Sequence, residues 1–125
     1  MTAKGVLITA GILGAISVGI GAFGAHGLKD LLATNGRADT FETAVKYQFY
    51  HTLALFLLGL LMVNHNVPQF TYAAYSFLAG TVVFSGSLYI LCLTNVGWLG
   101  AITPLGGVGF ILGWIFLVLG VSKGM

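Results

Sequence analysis

At 125 residues, 58% of them hydrophobic and only 6% charged, the chain lies far outside the balance of a water-soluble domain. Mean hydropathy is +0.99, and four apolar runs of spanning length use nearly all of residues 1–125 as a single membrane domain, leaving no length for a soluble catalytic one. The formal net charge of +2 comes without any Lys/Arg cluster, which excludes a nucleic-acid partner.

The first run, residues 5–25, is long enough at ~1.5 Å per residue to cross a ~30 Å hydrocarbon layer. Lys4, the apolar stretch and Ala22, Phe23, Gly24 also fit a cleaved signal peptide. The remaining spans need a partner, so a retained first span is the expectation. Residues 26–43 form a polar connector, and the segment "HGLKDLLATNGRADTFETAVKY" holds six of the eight charged residues. Within it Asn35-Gly36 signals a turn, and Asp39 or Thr40 is placed to cap a helix whose first turn carries Glu42. Span two is expected over residues 44–63. "NHNVPQ" then breaks the chain before span three, residues 70–93, and "TNVGWLG" breaks it again. Span four covers residues 102–121, with Thr103 as N-cap and Pro104 at N1, or with a start near Trp98 and a kink at Pro104. The single cysteine, Cys92, falls inside span three, where it reads as a small buried hydrophobe. The fold class is therefore all-α: a four-transmembrane-helix bundle with a short polar connector between its first two helices.

Small residues recur at alternating steps of three and four. In span one they are Ala10, Gly14, Ser17, Gly21 and Gly24; in span four, Gly106, Gly109, Gly113 and Gly120; span three has Ala73, Ser76, Gly80 and Ser87. Two apolar helices gain nothing hydrophobic by meeting in lipid, so association rests on close backbone approach along such seams. These positions are expected to be helix interfaces.

Four crossings bring the end of span one, the start of span two, the end of span three and the start of span four to one membrane face. Polar residues concentrate there: His26, Tyr47, Gln48, His51, Ser85, Ser87, Tyr89, Asn95 and Thr103. Gln48 and His51 lie three residues apart on one side of their helix, and Tyr47 pairs with His51 at i, i+4. Unsatisfied polar atoms are costly in hydrocarbon, so these groups are expected to face the bundle and find partners there, with His26 the nearest at matching depth. Tyr47, Tyr50, Tyr89 and Trp98 also suit an interfacial aromatic belt. His26 suits a helix C-terminus, and His65 a loop. Lys29, Arg37 and Lys46 in the connector against Lys4 and Lys123 beside the termini lean towards a cytoplasmic connector with both termini outside.

"GAFGAHGLK", "FETAVKYQFYHTLALFLLG", "FSGSLYIL" and "LGAITPLGGVGFILGW" occur in that order over almost the whole chain. In these motifs the sequence resembles a family of small bacterial inner-membrane proteins of unknown function, the YgdD-like group, with relatives among small eukaryotic transmembrane proteins. The resemblance implies a compact four-helix domain of the cell (inner) membrane, crossing it several times, with no settled activity. Its motif positions here are Gly24, His26, Gln48, His51, Ser85, Gly86, Ser87, Thr103, Pro104 and Gly106.

Three function classes compete. One is a non-catalytic bundle component that assembles through its glycine-rich faces with its own copy or a larger membrane complex, in contact with the lipid bilayer. Another is a transporter or proton pathway using His26, Gln48 and His51, though no Asp, Glu, Lys or Arg lies deep in any span. The last is a haem or metal protein with His26 and His51 as ligands, against which no Cys, Asp or Glu stands at helical spacing from either histidine. No metal or other cofactor is expected, and no enzyme, because no nucleophile with its base and orienting group can be assembled.

Overall fold

The computed structural model describes residues 1–125. Five α-helices follow one another: α1 (Ala3–His26), α2 (Lys29–Asn35), α3 (Ala38–Asn64), α4 (Pro68–Thr94) and α5 (Thr103–Gly124), with a 3₁₀ turn at Gly97–Ala101 before the last. Four of them are long and apolar enough to cross a membrane; α2 is the exception. The protein is thus an all-α four-span bundle.

Local chemistry sets the boundaries. The Thr2 hydroxyl accepts the Gly5 N–H at 3.0 Å and starts α1. The connector is more ordered than its polarity suggests, since residues 29–35 form a short helix that buries Leu32. That helix stops where Gly36 turns left-handed, at φ 65°, and the Arg37 N–H closes back on the Leu32 carbonyl at 2.9 Å. The reversal delivers the chain directly into α3, which therefore begins at Ala38 rather than near residue 44. Arg37 occupies the cap position without a side-chain bond, so neither Asp39 nor Thr40 caps; Asp39 sits inside the first turn, against the positive end of the dipole. Span four is corrected likewise. The N-cap is Ile102, Thr103 is already helical, and Pro104 lies in the first turn, where a missing N–H costs nothing.

α3 packs between α1 and α4, and α4 packs between α3 and α5, with the α4–α5 contact the most extensive. The two central helices bury about twice the share of their spans that the flanking pair does. A dry core of Val6, Ala10, Leu55, Leu58, Phe70 and Phe77 fills the half of the bundle remote from the connector. Most buried hydrogen-bonding side chains, among them Gln48, Ser85, Ser87 and Thr103, lie in the connector half.

Small residues make the helix contacts possible. A Cβ added at Gly106 meets the Phe84 backbone nitrogen at 2.3 Å, and one at Gly109 meets the Gly80 Cα at 3.1 Å, so α4 and α5 touch backbone to backbone. Gly113 and Gly120 receive the rings of Phe77 and Phe70. On the other side of the bundle Gly24 receives Phe41, Gly21 faces Val45, Gly14 faces Thr52, and Ser17 is buried. The chain's own helices occupy both seams.

Candidate functional site

His51 stands thirteen residues into α3, about 20 Å along a helix of about 40 Å, and so near the middle of that helix. Its Nδ1 lies 2.9 Å from the Tyr47 carbonyl oxygen, and its Nε2 lies 3.2 Å from Trp114 Nε1 on α5. A carbonyl only accepts and an indole N–H only donates, so Nδ1 carries the proton and Nε2 keeps its lone pair for Trp114. The imidazole stacks on Phe110 with centroids 3.6 Å apart and planes 8° apart, while Phe77 and Trp114 close its edges. Phe110 reaches this position over Gly80, where an added Cβ would come within 2.6 Å of its ring. The histidine is neutral, in one tautomer, and packed between aromatic rings.

A second knot ties three helices. Gln48 Nε2 donates to the Leu13 carbonyl of α1 at 3.4 Å, and Gln48 Oε1 accepts the Tyr89 hydroxyl of α4. Because the Leu13 carbonyl has no proton to give, the amide is oriented by its partners. Ser17 donates to the same carbonyl at 2.8 Å. Nearby, Ser85 donates to the Ala44 carbonyl at 2.7 Å and joins α4 to α3. Ser87 donates to the Phe84 carbonyl at 3.0 Å and meets the Thr103 hydroxyl at 2.7 Å, which joins α4 to the start of α5. Thr103 thus serves the helix contact rather than a cap. Thr52 is the exception: its hydroxyl oxygen is buried with no partner.

The structure separates other residues that the sequence groups together. His26 is exposed in the last turn of α1, at the membrane surface, while His51 is far deeper; the two are not at matching depth. The mismatch follows from the early start of α3. Asn95 is not beside His51 either. It takes the left-handed conformation that ends α4, at φ 56°, and its side chain accepts the Arg37 Nε–H at 2.9 Å on the surface. Tyr89 is no belt residue, being turned inward to Gln48 and packed on Phe41. Tyr47 is part-exposed and stacks on Phe84 at 4.7 Å; Tyr50 and Trp98 remain largely exposed. Trp114, Phe110 and the Leu13 carbonyl are members of these knots that polarity alone does not mark. A tryptophan at mid-span, away from the interfacial belts and one turn after Phe110, was the available signal.

Fold and site together define a polytopic helical membrane protein whose deep polar groups are tied into its own packing. The family profile described as "Protein of unknown function (DUF423)" matches residues 20–107. A UPF0382 membrane protein of Staphylococcus epidermidis is 47% identical over 119 residues, covering 94% of this chain and 96% of the relative. The UPF0382 membrane protein YwdK of Bacillus subtilis is 46% identical, covering 90% and 94%. The UPF0382 inner membrane protein YgdD of Escherichia coli is 39% identical over 125 residues, covering 98% and 93%. No solved structure matches. The chain belongs to the DUF423 family of multi-pass cell-membrane proteins, whose members carry no enzymatic name.

Proposed function

We propose that this protein is a non-catalytic component of the cell membrane, a packed four-helix unit that works through its lipid-facing surface and its contacts with neighbouring membrane proteins or copies of itself. The observation that carries this reading is the closed hydrogen bonding of His51, the only histidine deep in a span. A proton carrier needs a ring nitrogen that is free to change state, and a haem or metal ligand needs a free lone pair. The Nε2 lone pair is already held by Trp114, and the Nδ1 proton by a carbonyl. Gln48 is likewise committed at both ends of its amide. The polar groups therefore do what interhelical hydrogen bonds do in lipid, adding modest stability and fixing the register of neighbouring helices.

Reconstituted vesicles provide the test. Proton and small-solute leak is compared among protein-free vesicles, wild type, His51→Ala and Trp114→Phe. The expected result is one common leak rate. A wild-type flux above the protein-free level that disappears in His51→Ala would replace the scaffold reading with a pathway. An absorption spectrum of the purified protein with a Soret band, or stoichiometric metal by elemental analysis, would replace it with a cofactor protein.

A further inference from the structure

The short helix α2 buries a single side chain, Leu32, fewer than any other α-helix of the molecule. Its seven residues are about half of what an isolated helix needs to persist in water, so α2 keeps its shape only while docked. The docking rests on Leu32 against Phe41 and Cys92. Packing is open on both flanks. A groove of about 370 Å³ borders Lys29, Leu32 and Ala38, another of about 210 Å³ borders Leu28, and Phe41 forms a wall of both. Such space deprives the helix of the dispersion contacts that a closed seam supplies. Neither Lys29 nor Asp30 forms an ion pair with the bundle.

The long-range hydrogen bonds of the segment all end on the last turn of α4 and the residue after it. Asn35 donates to the Cys92 carbonyl at 3.0 Å, Arg37 Nε to the Asn95 side chain at 2.9 Å, and the Cys92 thiol to the Arg37 carbonyl at 3.7 Å. At the other end the Gly27 and Leu28 amides bond back to the Phe23 carbonyl of α1. The breaks at Gly27 and at left-handed Gly36 uncouple α2 from both long helices beside it. We propose that residues 28–36 are a hinged strap: α2 undocks and melts as one unit between these breaks while the four spans stay packed. Small units of this kind open at a fraction of the free energy of global unfolding. Closed, Leu28 and Leu32 cover Phe41, Tyr89 and Cys92; open, those side chains are bared to water at the connector face. The strap thus regulates access to the end of the bundle where Tyr89 bonds Gln48. This device goes beyond the scaffold proposal and does not rest on it.

The Cys92 thiol, wholly buried when the strap is closed, reports the opening. The full chain in detergent micelles is treated with excess maleimide, and labelling rates are compared among variants. Leu32→Ala removes the one buried contact of α2 and should speed labelling at least about tenfold. Gly36→Ala puts a Cβ on the left-handed backbone that the docked strap requires, and should speed it about fivefold. Amide exchange over residues 32–37 should rise by the same factors, because one event exposes both. Gly106→Ala, which forces α4 and α5 apart, destabilises the spans and should leave the rate within about twofold of wild type. Gly113→Ala, whose Cβ meets the Phe77 ring at 2.5 Å, takes its place if that variant fails to fold. Equal acceleration by the span variant would mean that Cys92 is reached through unfolding of the whole bundle, and would overturn the strap. So would strap variants that label like wild type, or a thiol that stays unreactive in all of them until the protein is unfolded in SDS.

Discussion

Replacing Gly106 by alanine tests the packing argument at its tightest point. The new Cβ lies 2.3 Å from the Phe84 nitrogen and 2.7 Å from both the Phe84 Cα and Cβ, against ordinary contacts of 3.4–4 Å. The obstructing atoms are mostly backbone of α4, so no side-chain rotation relieves them, and the helices must separate by about 1 Å. A gap of that size forfeits up to about half of each dispersion contact along the seam, and overpacking of this kind costs about 1–3 kcal/mol. The higher figure applies here, because the Gly80–Gly109 contact and the seat of Phe110 on His51 open together. Alanine also gains about 1 kcal/mol of helix propensity over glycine, which would blur a single measurement. Gly107 removes that ambiguity. It is the adjacent residue in the same helix, and nothing lies within 4 Å of a Cβ placed there. Unfolding in mixed micelles as the SDS fraction rises, followed by circular dichroism, should therefore place Gly106→Ala about 3 kcal/mol below Gly107→Ala. If the two variants unfold within about 0.5 kcal/mol of each other, a backbone-to-backbone α4–α5 contact is refuted.

The remaining predictions concern hydrogen-bonding groups. Thr52→Val keeps the shape of the side chain and removes the one buried hydroxyl without a partner, so it should stabilise the protein by about 1 kcal/mol in the same titration; a comparable loss would show that the hydroxyl is satisfied. A double-mutant cycle of Gln48→Leu and Tyr89→Phe should return a coupling of about 0.6–1.7 kcal/mol, the range found for hydrogen bonds between membrane helices, and a coupling near zero would remove that contact. Cys92 lies under the connector, where Asn35 donates to its carbonyl at 3.0 Å, so it should resist maleimide in the folded protein and react several-fold faster in Asn35→Ala. Equal labelling rates would mean that α2 is not held there.

The four spans were legible because apolar length is a coarse signal that composition cannot hide. α2 was not, because "KDLLATN" is too short to establish a helical period and buries one side chain, Leu32. α3 starts at Ala38, two to three residues before the helix that a cap at Asp39 or Thr40 implies and six before the expected span, and counting depth from residue 44 places His51 too near the level of His26. The candidate site was half legible for a related reason. Gln48, His51, Ser85, Ser87 and Tyr89 stand out as polar residues within apolar runs, whereas most of their partners are the backbone carbonyls of Leu13, Tyr47, Ala44 and Phe84 and the Trp114 indole, which polarity does not mark. Asn95 failed in the opposite direction: a polar residue beside a span end was read as facing inward, when its backbone geometry was its role.

The bonds that hold the connector join residues far apart in the chain: Asn35 to the Cys92 carbonyl, and Arg37 to Asn95. Residues 92–95 are synthesised after the α1–α3 hairpin, so the Cys92 carbonyl, one of those that the end of α4 leaves without a helical partner, is capped by a segment made earlier. The connector is a latch that cannot close before the end of α4 has been made. It ties the hairpin of α1 and α3 to the far end of α4.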